Sequence, residues 1–574
     1  MGSARNGFRE QRVLAVDVGS TILRCYVYNE SAESCGSTEE KINVLYPCHG
    51  HVEIDPEGLW EQFVTVVKEA VKDAGIHMNQ VAGLGISTQR ATFITWNKET
   101  GKPFHNFISW QDLRAAELVS SWNNSLLLKA VHGSCRLMHF LTRRKRFLAA
   151  SLISFTTQHV SLRLAWVLQN IPEVRQAADE GNCCFGTIDT WLLYKLTNAK
   201  NPNCCRDNPG AAQWKGVNQS PVTRESNPAS LQDWSWEGPE SQCSVYATDY
   251  SNASGTAVFD PYLMSWSSFL CSLLSIPLSI FPPVEDTSHN FGVSDTSIFG
   301  VPIPIRALVA DQQAAMFGQC CFDVGDVKLT MGTGTFMTIN TGNNLHTSIA
   351  GLYPLVGWKI GDELVCLAEG NATDTGTAIK WAQELNLFAV FADMEEMARS
   401  VPDCGGIYFV PSFTGLQAPV NDPYACASFM GLKPSTTKNH LVRAILESVA
   451  FRNKQLYDTM RRETSIQISQ IRADGGVCNN SFVMQMTADL FGHTIDKPKH
   501  TDMSSLGAAF LAGLALGIWS NKEELKKLRQ PQVLFEPQRK LKDYELSMSG
   551  WELALQRCSN WYNACYQNSL RYNT

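Results

Sequence analysis

The amino-acid sequence predicts an α/β protein made of two lobes that are built alike. Strand-like runs alternate with amphipathic helices along most of the chain, a pattern typical of α/β architecture rather than of a β-sandwich or a helical bundle. The stretch VLAVDVGSTILRCYVYNE at residues 13–30 is echoed by DVKLTMGTGTFMTINTGN at residues 326–343. Each stretch reads as a strand, a tight turn and a second strand, so the echo indicates a duplicated architecture.

The length of 574 residues exceeds what one hydrophobic core usually supports, so two domains are expected. We place them at residues 12–319 and 320–520, followed by a C-terminal helical extension at residues 521–574. Residues 198–244 interrupt the alternation, because they are rich in Asn, Pro, Ser and Gln and lack apolar periodicity. They are predicted to form a disordered insertion.

Local signals define the elements of each lobe in turn. Asp55 and Pro56 begin a helix whose apolar residues recur at helical spacing until Gly75 ends it. The apolar run VAGLGIST at residues 81–88 then predicts a buried strand. In the second lobe, apolar side chains at helical spacing through residues 441–449 predict another helix.

Composition and charge narrow the function classes. A net charge of -7 and an isoelectric point near 6.0 argue against a nucleic-acid partner, and the short basic run RRKR at residues 143–146 is interpreted as a solvated helix face. The eighteen cysteines are scattered and no apolar export segment follows the first residues, which favours a reduced, cytoplasmic protein. Residues 263–284 are apolar but contain six serines and three prolines, so they predict a buried helix and a loop, with no integral membrane segment.

The turn between the first two predicted strands has the chemistry of a polyphosphate site. It combines backbone N–H groups that a ligand can approach at Gly19, hydroxyls at Ser20 and Thr21, and the carboxylate of Asp17 for a magnesium ion. Arg24 adds a cation. The alternative is an ordinary hairpin, because Asp and Gly are common turn residues.

The second turn has the same chemistry. Residues 332–334 form a Gly-Thr-Gly turn with hydroxyls at Thr333 and Thr335, so phosphates held between the lobes would contact both turns. The sequence lacks the glycine-rich P-loop pattern and the His-Arg-Asp and Asp-Phe-Gly motifs of protein kinases. A P-loop enzyme is therefore excluded, and a protein kinase is not favoured.

Polar residues also follow two predicted strands where reacting groups usually lie in α/β sheets. Asp311 and Gln312 follow an apolar run, and the Asp311 carboxylate is placed to accept a proton from a substrate hydroxyl. Gln89 and Arg90 follow the strand at 81–88 and are candidates to bind a polyol, with Trp110 as an apolar wall. The alternatives are an N-capping aspartate and ordinary surface or packing residues.

Glycines mark a third region. Gly475 and Gly476 follow a predicted strand and permit close approach of the backbone to a flat ring or a ribose, with the amide of Asn480 nearby. Gly376 lies on a small-residue face that is expected beside the same site. Tight packing explains these glycines equally well.

In their order along the chain, these segments resemble the FGGY carbohydrate kinases, and within them the glycerol kinases. The resemblance extends from about residue 12 to residue 520 and includes these motifs: AVDVGST, GHVEIDPEGLW, GISTQRAT, SWQDLRA, ADQQAAMFGQ, MGTGTF, ADGGVCNNSF and SSLGAAFLAGLALG. It implies a two-lobed actin-like (ribonuclease H-like) ATPase fold with the active site in the cleft between the domains. It also implies ATP and Mg2+ as cofactors, transfer of the γ-phosphoryl group to glycerol, and the option of a homodimer.

The resemblance assigns roles residue by residue. It implies magnesium binding by Asp17 and Asp311, with Asp311 also the catalytic general base. It implies binding of glycerol by Gln89, Arg90, Trp110, Asp311 and Gln312. It implies contacts with the nucleotide and its phosphates by Ser20, Thr21, Arg24, Thr333, Gly376, Gly475, Gly476 and Asn480.

Two departures from the family pattern concern the acceptor. Glycerol kinases have Gln-Arg-Glu where this sequence has Gln89, Arg90 and Ala91, so a carboxylate that would accept a substrate hydroxyl is missing. A family tyrosine has no clear counterpart, since Gln158 or His159 falls near its position. Phosphorylation of glycerol to sn-glycerol 3-phosphate is the leading hypothesis. The alternatives are a kinase for another small polyol or ketose, and a nucleotide-binding regulatory protein with weak catalysis.

Overall fold

The structure is a computed structural model that describes residues 11–197, 244–500, 502–529 and 531–562. The predicted disordered insertion at 198–244 lies outside the described residues except for Ser244. Within the described ranges, no helix is both long enough and apolar enough to cross a membrane.

The elements of the first lobe fall before residue 320. Its strands are β1 (Arg12–Val18), β2 (Ile22–Tyr28), β3 (Ser34–Lys41), β4 (Val44–Leu45), β5 (Glu53–Ile54), β6 (Val81–Thr88), β7 (Phe93–Asn97), β8 (Phe107–Ile108), β9 (Cys183–Thr187), β10 (Thr248–Asp249), β11 (Phe259–Asp260), β12 (Ser265–Trp266), β13 (Val284–Glu285) and β14 (Ile305–Ala310). Its helices are α1 (Pro56–Asp73), α2 (Ala116–Asn124), α3 (Leu126–Thr142), α4 (Lys145–Ala150), α5 (Val160–Asn170), α6 (Pro172–Asp179), α7 (Ile188–Thr197), α8 (Tyr250–Ser254), α9 (Ser268–Leu273), α10 (Thr296–Phe299) and α11 (Asp311–Gly318).

The remaining elements follow residue 320. The strands are β15 (Asp326–Met331), β16 (Thr335–Gly342), β17 (Tyr353–Ile360), β18 (Glu363–Ala372), β19 (Tyr408–Val410), β20 (Ser428–Met430), β21 (Gln470–Asp474), β22 (Ile495–Pro498) and β23 (Pro531–Phe535). The helices are α12 (Thr375–Glu384), α13 (Asp393–Arg399), α14 (Lys438–Thr464), α15 (Ser481–Phe491), α16 (Met503–Leu516), α17 (Lys522–Leu528) and α18 (Glu545–Cys558).

The main sheets of the two lobes share one design. The first has the order β14-β6-β1-β2-β3, and the second has the order β17-β18-β16-β15-β21-β22-β23. In each sheet a hairpin, β1–β2 or β15–β16, is antiparallel, and the first strand of the hairpin pairs in parallel with a later strand, β6 or β21. The predicted duplication is therefore present in the topology, and an equivalent turn connects the two strands of each hairpin.

Helix α1 illustrates how local signals produce an element. Asp55 caps it by accepting a hydrogen bond from the Gly58 N–H at 2.9 Å, and Pro56 occupies the first helical position, where no N–H is needed. Its buried side chains include Leu59, Phe63 and Val67, at helical spacing. The helix therefore packs an apolar stripe against the first sheet, as the sequence predicted.

Helix α16 lies late in the chain but packs on the first sheet. A Cβ on Gly85 of β6 would meet the Ala508 carbonyl oxygen at 2.2 Å, and a Cβ on Gly507 would meet the Ala314 carbonyl oxygen at 1.8 Å. Glycine at these positions allows α16 to lie directly against β6 and α11. The predicted domain bounds remain predictions, but this helix joins the two parts of the chain.

Two segments differ from their predictions. Residues 263–284 were predicted to form a buried helix and a loop, but strand β12 comes first and helix α9 is only six residues long, with Cys271 as its buried side chain. The three prolines follow this helix. The segment after residue 520 was predicted to be helical. It contains α17 and α18, but β23 also pairs antiparallel with β22 at the edge of the second sheet.

Candidate functional site

The first turn is held by side chains that come from a different part of the lobe. The Gln89 Nε2 donates to the Gly19 carbonyl oxygen at 2.8 Å, and its Oε1 accepts from the Thr92 hydroxyl at 3.0 Å. The indole N–H of Trp110 donates to the Ser20 Oγ at 2.8 Å. The backbone of the turn is closed by a hydrogen bond from the Gly19 N–H to the Ile22 carbonyl oxygen. Thr21, which follows Ser20 in the turn, is exposed.

The contacts of Gln89 differ from the substrate contact that the resemblance implies. Its side chain is 1% exposed, and both ends of its amide are hydrogen-bonded within the protein. A buried amide with satisfied partners gains little by turning to a ligand. The structure thus gives Gln89 the task of bracing the first turn, while Trp110 is partly buried and also touches that turn.

Asp17 ends the strand before this turn and lies among other carboxylates. Its Oδ1 accepts from the Ser87 hydroxyl at 2.7 Å. Burial raises the pKa of the Asp17 carboxyl well above its usual range, and the carboxylates of Asp502 and Asp311 raise it further. The Arg24 Nε lies 3.5 Å from the Asp502 Oδ2 and 3.1 Å from the Glu39 Oε2. A cation between these carboxylates would relieve their mutual repulsion.

This arrangement suits a magnesium ion. Among the described residues, no group of three or more His, Cys, Asp and Glu side chains is arranged to hold a metal ion alone. Mg2+ is usually held by one or two carboxylates together with water and substrate phosphates. The donor set of Asp17 and Asp311, beside a turn with exposed hydroxyls, fits that mode of binding.

The second turn is formed by Gly332, Thr333 and Gly334. It is closed by a hydrogen bond from the Gly332 N–H to the Gly334 carbonyl oxygen at 3.0 Å, and Thr333 is exposed. The Gly376 N–H at the start of α12 donates to the Thr333 carbonyl oxygen at 2.8 Å. A Cβ on Gly376 would lie 2.5 Å from the Gly332 carbonyl oxygen, so only glycine lets α12 begin against the turn.

The glycines after β21 have two separate tasks. Gly475 has a φ of +90°, and a Cβ there would meet the Met331 carbonyl oxygen at 2.5 Å, so this glycine permits close contact between strand ends. Gly476 is exposed, and nothing lies within 4 Å of the Cβ position, so the space in front of it is open. Asn480 is 2% exposed and caps α15 through a hydrogen bond from the Val483 N–H at 3.1 Å. The Asn480 Oδ1 thus caps a helix, and the contact of this side chain with the nucleotide stays a prediction.

Asp311 is the first residue of α11, directly after β14. Its Oδ1 accepts from the Gln312 N–H at 2.7 Å, and its backbone carbonyl accepts from the Ser504 hydroxyl at 3.2 Å. Burial raises the pKa of Asp311, against the opposing effects of Arg90 and the Gln312 N–H. The Gln312 Oε1 accepts from the buried Lys328 Nζ at 2.6 Å, which links α11 to β15. The carboxylate is therefore fixed, partly exposed and a stronger proton acceptor than an ordinary aspartate.

Arg90 connects the two lobes at the same place. Its Nη2 donates to the Glu369 Oε1 at 2.6 Å, and its Nε lies 3.8 Å from the Asp311 Oδ1. The guanidinium carbon lies 5.7 Å from the centre of the Phe336 ring. Glu369 is buried on β18, where its Oε2 accepts from the Thr338 hydroxyl at 3.0 Å. The predicted pair of Arg90 and Asp311 is thus brought together, with Glu369 as an additional member.

Ala91, next to Arg90, lies in an apolar environment. It has a φ of +61° and belongs to a cluster of buried hydrophobic residues. Its carbonyl accepts from the Nη2 of the fully buried Arg163 at 2.7 Å. His159 packs edge-on against Tyr353, whose partner across the β17–β18 pair is Glu369. Polar groups from the second lobe therefore lie near the place where the family has a glutamate and a tyrosine.

Three residues of the site were missed by the sequence analysis. Glu369 lies inside a long apolar strand, and Lys328 lies inside the strand before the second turn, so neither position carried a local signal. Asp502 precedes two serines at the start of α16 and accepts from the Ser505 N–H at 3.4 Å. The N-cap pattern was a usable signal for Asp502.

Comparison with known proteins agrees with this architecture. The FGGY family of carbohydrate kinases matches through its N-terminal domain at residues 12–214 and 239–318, and through its C-terminal domain at residues 327–516. A Xenopus laevis protein named glycerol kinase 5 is 74% identical over 516 residues, which cover 90% of this chain and 98% of that protein. A Homo sapiens protein of the same name is 63% identical over 551 residues, which cover 96% of each chain.

A solved structure extends the agreement to the fold. The crystal structure of Plasmodium falciparum glycerol kinase with ADP has a TM-score of 0.79 and 26% sequence identity to this chain. The match covers 96% of this chain and 98% of that one. The prediction of a two-lobed, actin-like α/β fold is confirmed. The family models, the relatives and the topology lead to one conclusion, that the chain belongs to the FGGY family of carbohydrate kinases.

Proposed function

We propose that this protein transfers the γ-phosphoryl group of ATP to a primary hydroxyl of glycerol and so forms sn-glycerol 3-phosphate. The observation that carries the proposal is the position of the Asp311 carboxylate, close to Arg90 and between two lobes that each contribute a hydroxyl-bearing turn. The names of the relatives, glycerol kinase in each case, support glycerol as the acceptor. Membership of the kinase family supports the phosphoryl transfer.

The two turns are proposed to hold the phosphates. Ser20 and Thr21 contribute hydroxyls from the first turn, and Thr333 contributes one from the second. Arg24 supplies a positive charge near Asp502. Asp17 and Asp311 are proposed to hold Mg2+, which neutralises charge that develops on the phosphates. Phosphate groups between the turns would then be bound from both lobes.

Asp311 and Arg90 are proposed to act on the acceptor. As the substrate oxygen attacks the γ-phosphorus, its proton passes to an Oδ of Asp311, which becomes neutral. The raised pKa of Asp311 suits this task. Arg90 donates a hydrogen bond to a substrate hydroxyl and is held for it by Glu369. Trp110 forms an apolar wall. Gln312 links α11 to β15 of the second lobe through its hydrogen bond with Lys328.

The nucleoside is proposed to lie against the glycines of the second lobe. Gly476 leaves open space at its Cβ position, where a ribose or base can approach the backbone. Gly376 and Gly475 keep α12 and β21 close to the second turn. Asn480 caps the helix that begins there, and its side chain is proposed to contact the nucleotide.

A second acceptor is favoured by one specific observation. Ala91 is buried among apolar side chains at the position where the glycerol kinases have glutamate, so the acceptor loses one carboxylate partner. Glu369 and Tyr353 bring polar groups from the other lobe toward the same place. A pocket with relocated polar groups is suited to another small polyol or a ketose. If no acceptor is phosphorylated, the remaining alternative is a nucleotide-binding regulatory protein with weak catalysis.

The environment of the protein is part of the proposal. We propose a cytoplasmic protein with small-molecule substrates and no nucleic-acid partner, on the basis of its scattered cysteines and net charge of -7. Among the described residues no two cysteines form a disulfide bond, and most of these cysteines are buried. These thiols suit a reducing compartment.

The test is phosphorylation of defined acceptors by the purified protein. Protein with Mg2+ and ATP is incubated with glycerol or with one member of a panel of polyols and ketoses, and the products are identified by mass spectrometry. We expect glycerol 3-phosphate to form with the unaltered protein and to be lost in Asp311→Asn. A higher kcat/KM with a ketose than with glycerol would identify the ketose as the acceptor. ATP binding without turnover of any acceptor would overturn the proposed enzyme activity.

A further inference from the structure

Helix α3 has an apolar face that the rest of the described chain does not cover. Its side chains Leu137, Phe140 and Leu141 are 58%, 66% and 65% exposed, and Leu126 is exposed at the other end of the helix. Residues 126 and 141 lie about 22 Å apart along the axis. Large apolar side chains grouped on an exposed surface mark a site of interaction, whereas single ones are ordinary.

The stripe lies on one face, opposite to the face that packs on the protein. Leu126, Leu137 and Leu141 are spaced by eleven and four residues, so they lie on the same side of the helix. The opposite side is docked: Leu128 is buried, and the His132 Nε2 lies 2.9 Å from the Ile153 carbonyl oxygen. The helix is therefore held in place with its apolar stripe directed outward.

Positively charged side chains surround the stripe. Residues 118–172 contain no Asp or Glu, although the whole chain has a net charge of -7. Lys129 and Arg136 are exposed on α3, and the helix is followed by the exposed residues Arg143, Arg144 and Lys145. Within the described ranges no salt bridge involves these five residues, whereas the adjacent Arg146 pairs with Asp260 at 2.8 Å. The basic run predicted as a solvated face thus borders an apolar one.

We propose that the apolar stripe of α3 and its basic border bind a membrane surface rich in anionic phospholipid. An interfacial helix buries an apolar face among the lipid chains while its Lys and Arg side chains attract the negative headgroups. A membrane surface contacts a helix from one side only, and α3 leaves one side free. The proposal is independent of the phosphoryl transfer.

Two other occupants fit the same surface less well. A protein that wraps around a basic amphipathic helix would need the docked side of α3, including the buried Leu128. A second copy of the chain, packed stripe against stripe, would bring together two acid-free basic regions, residues 118–172 of each copy, without compensating carboxylates from them. A lipid surface meets both the geometry and the charge.

The experiment measures sedimentation of the full-length protein with vesicles. Vesicles of phosphatidylcholine that contain phosphatidylserine are compared with vesicles of phosphatidylcholine alone, at low and at physiological salt. We expect binding to the anionic vesicles that weakens as salt increases. Arg144→Gln combined with Lys145→Gln should weaken binding about thirtyfold, because each basic residue near such a surface contributes about fivefold.

The apolar part is tested by Leu137→Glu combined with Leu141→Glu, with Leu546→Glu combined with Leu553→Glu as the matched control. Leu546 and Leu553 are 86% and 46% exposed on α18, so the control adds the same charge to a different surface. The first variant should lose vesicle binding, and the control should bind like the unaltered protein, with unchanged circular dichroism for both. No binding to anionic vesicles, or equal binding of both variants, overturns the proposal. A dimer in light scattering that Leu137→Glu dissociates, without vesicle binding, assigns the face to a second copy instead.

Discussion

The substitution Glu369→Gln tests whether the second lobe sets the chemistry of the acceptor site. Glu369 is 3% exposed and receives the Arg90 Nη2 at 2.6 Å, whereas Asp311 lies 3.8 Å from the Arg90 Nε. The amide of the variant keeps the shape and one acceptor oxygen but removes the charge. Arg90 then has Asp311 as its remaining close carboxylate among the described residues.

The magnitude follows from the hydrogen bond that is weakened. A hydrogen bond between two charged groups contributes about 1.5–3 kcal/mol, and the bond that remains between the Arg90 guanidinium and a neutral amide is weaker, so the loss in holding Arg90 is about 1–2 kcal/mol. That loss corresponds to roughly a tenfold decrease in kcat/KM. In addition, Glu369 raises the pKa of Asp311 while Arg90 lowers it. Removing the Glu369 charge therefore lowers the pKa of Asp311, and the acid limb of the pH–rate profile moves to lower pH.

The assay is the pH dependence of kcat/KM for the acceptor, measured in the same buffers for variant and unaltered protein. Thr338→Val is the matched control, because it removes the other hydrogen bond to Glu369, of 3.0 Å, and keeps its charge. The control should leave the acid limb in place. An acid limb that stays unchanged or moves to higher pH in Glu369→Gln would show that Glu369 does not act on Asp311.

Three further predictions concern the base, the metal site and the second turn. Asp311→Asn should lower kcat by about 10²–10⁴-fold in steady-state kinetics, because it removes the proton acceptor; a loss below tenfold would show that Asp311 is not the general base. Because the pKa of Asp17 is raised in the folded protein, its charged form opposes folding at pH values above the ordinary aspartate pKa. Asp17→Asn should therefore have an equal or higher melting temperature than the unaltered protein at neutral pH without ligand, but Mg2+ and ATP should raise that temperature by less. A larger increase on addition of Mg2+ and ATP than in the unaltered protein would contradict this reasoning. In Gly376→Ala the new Cβ would lie 2.5 Å from the Gly332 carbonyl oxygen, and the resulting overpacking of about 1–3 kcal/mol should raise KM for ATP at least fivefold; steady-state kinetics with unchanged KM would refute the close packing.

The sequence predicted the parts of the site that depend on local order. Asp311 and Arg90 were found because each follows an apolar run, and residues at such strand ends meet at one edge of a sheet. The two turns were found because they repeat the same chemistry after similar strands. The topology then places these features close together, since β1, β6 and β14 are neighbours in the first sheet.

The remaining parts depend on distant contacts. Glu369 is 279 positions from Arg90 along the chain, and only the pairing of the lobes brings the two side chains together. Gln89 has the polar chemistry of a ligand, but its buried amide is hydrogen-bonded within the protein and braces the first turn. The outward apolar stripe of α3 was hidden because composition alone does not say which face of a helix docks.

The position of α16 has a consequence for how the protein is made. This helix covers β6 of the first sheet, yet at residues 503–516 it leaves the ribosome after nearly all of the second lobe. The small-residue surface around Gly85 therefore stays uncovered while several hundred residues are synthesised. During synthesis the first lobe is an incomplete folding unit, and it gains its last layer only when the chain returns to it, so the two lobes must mature together.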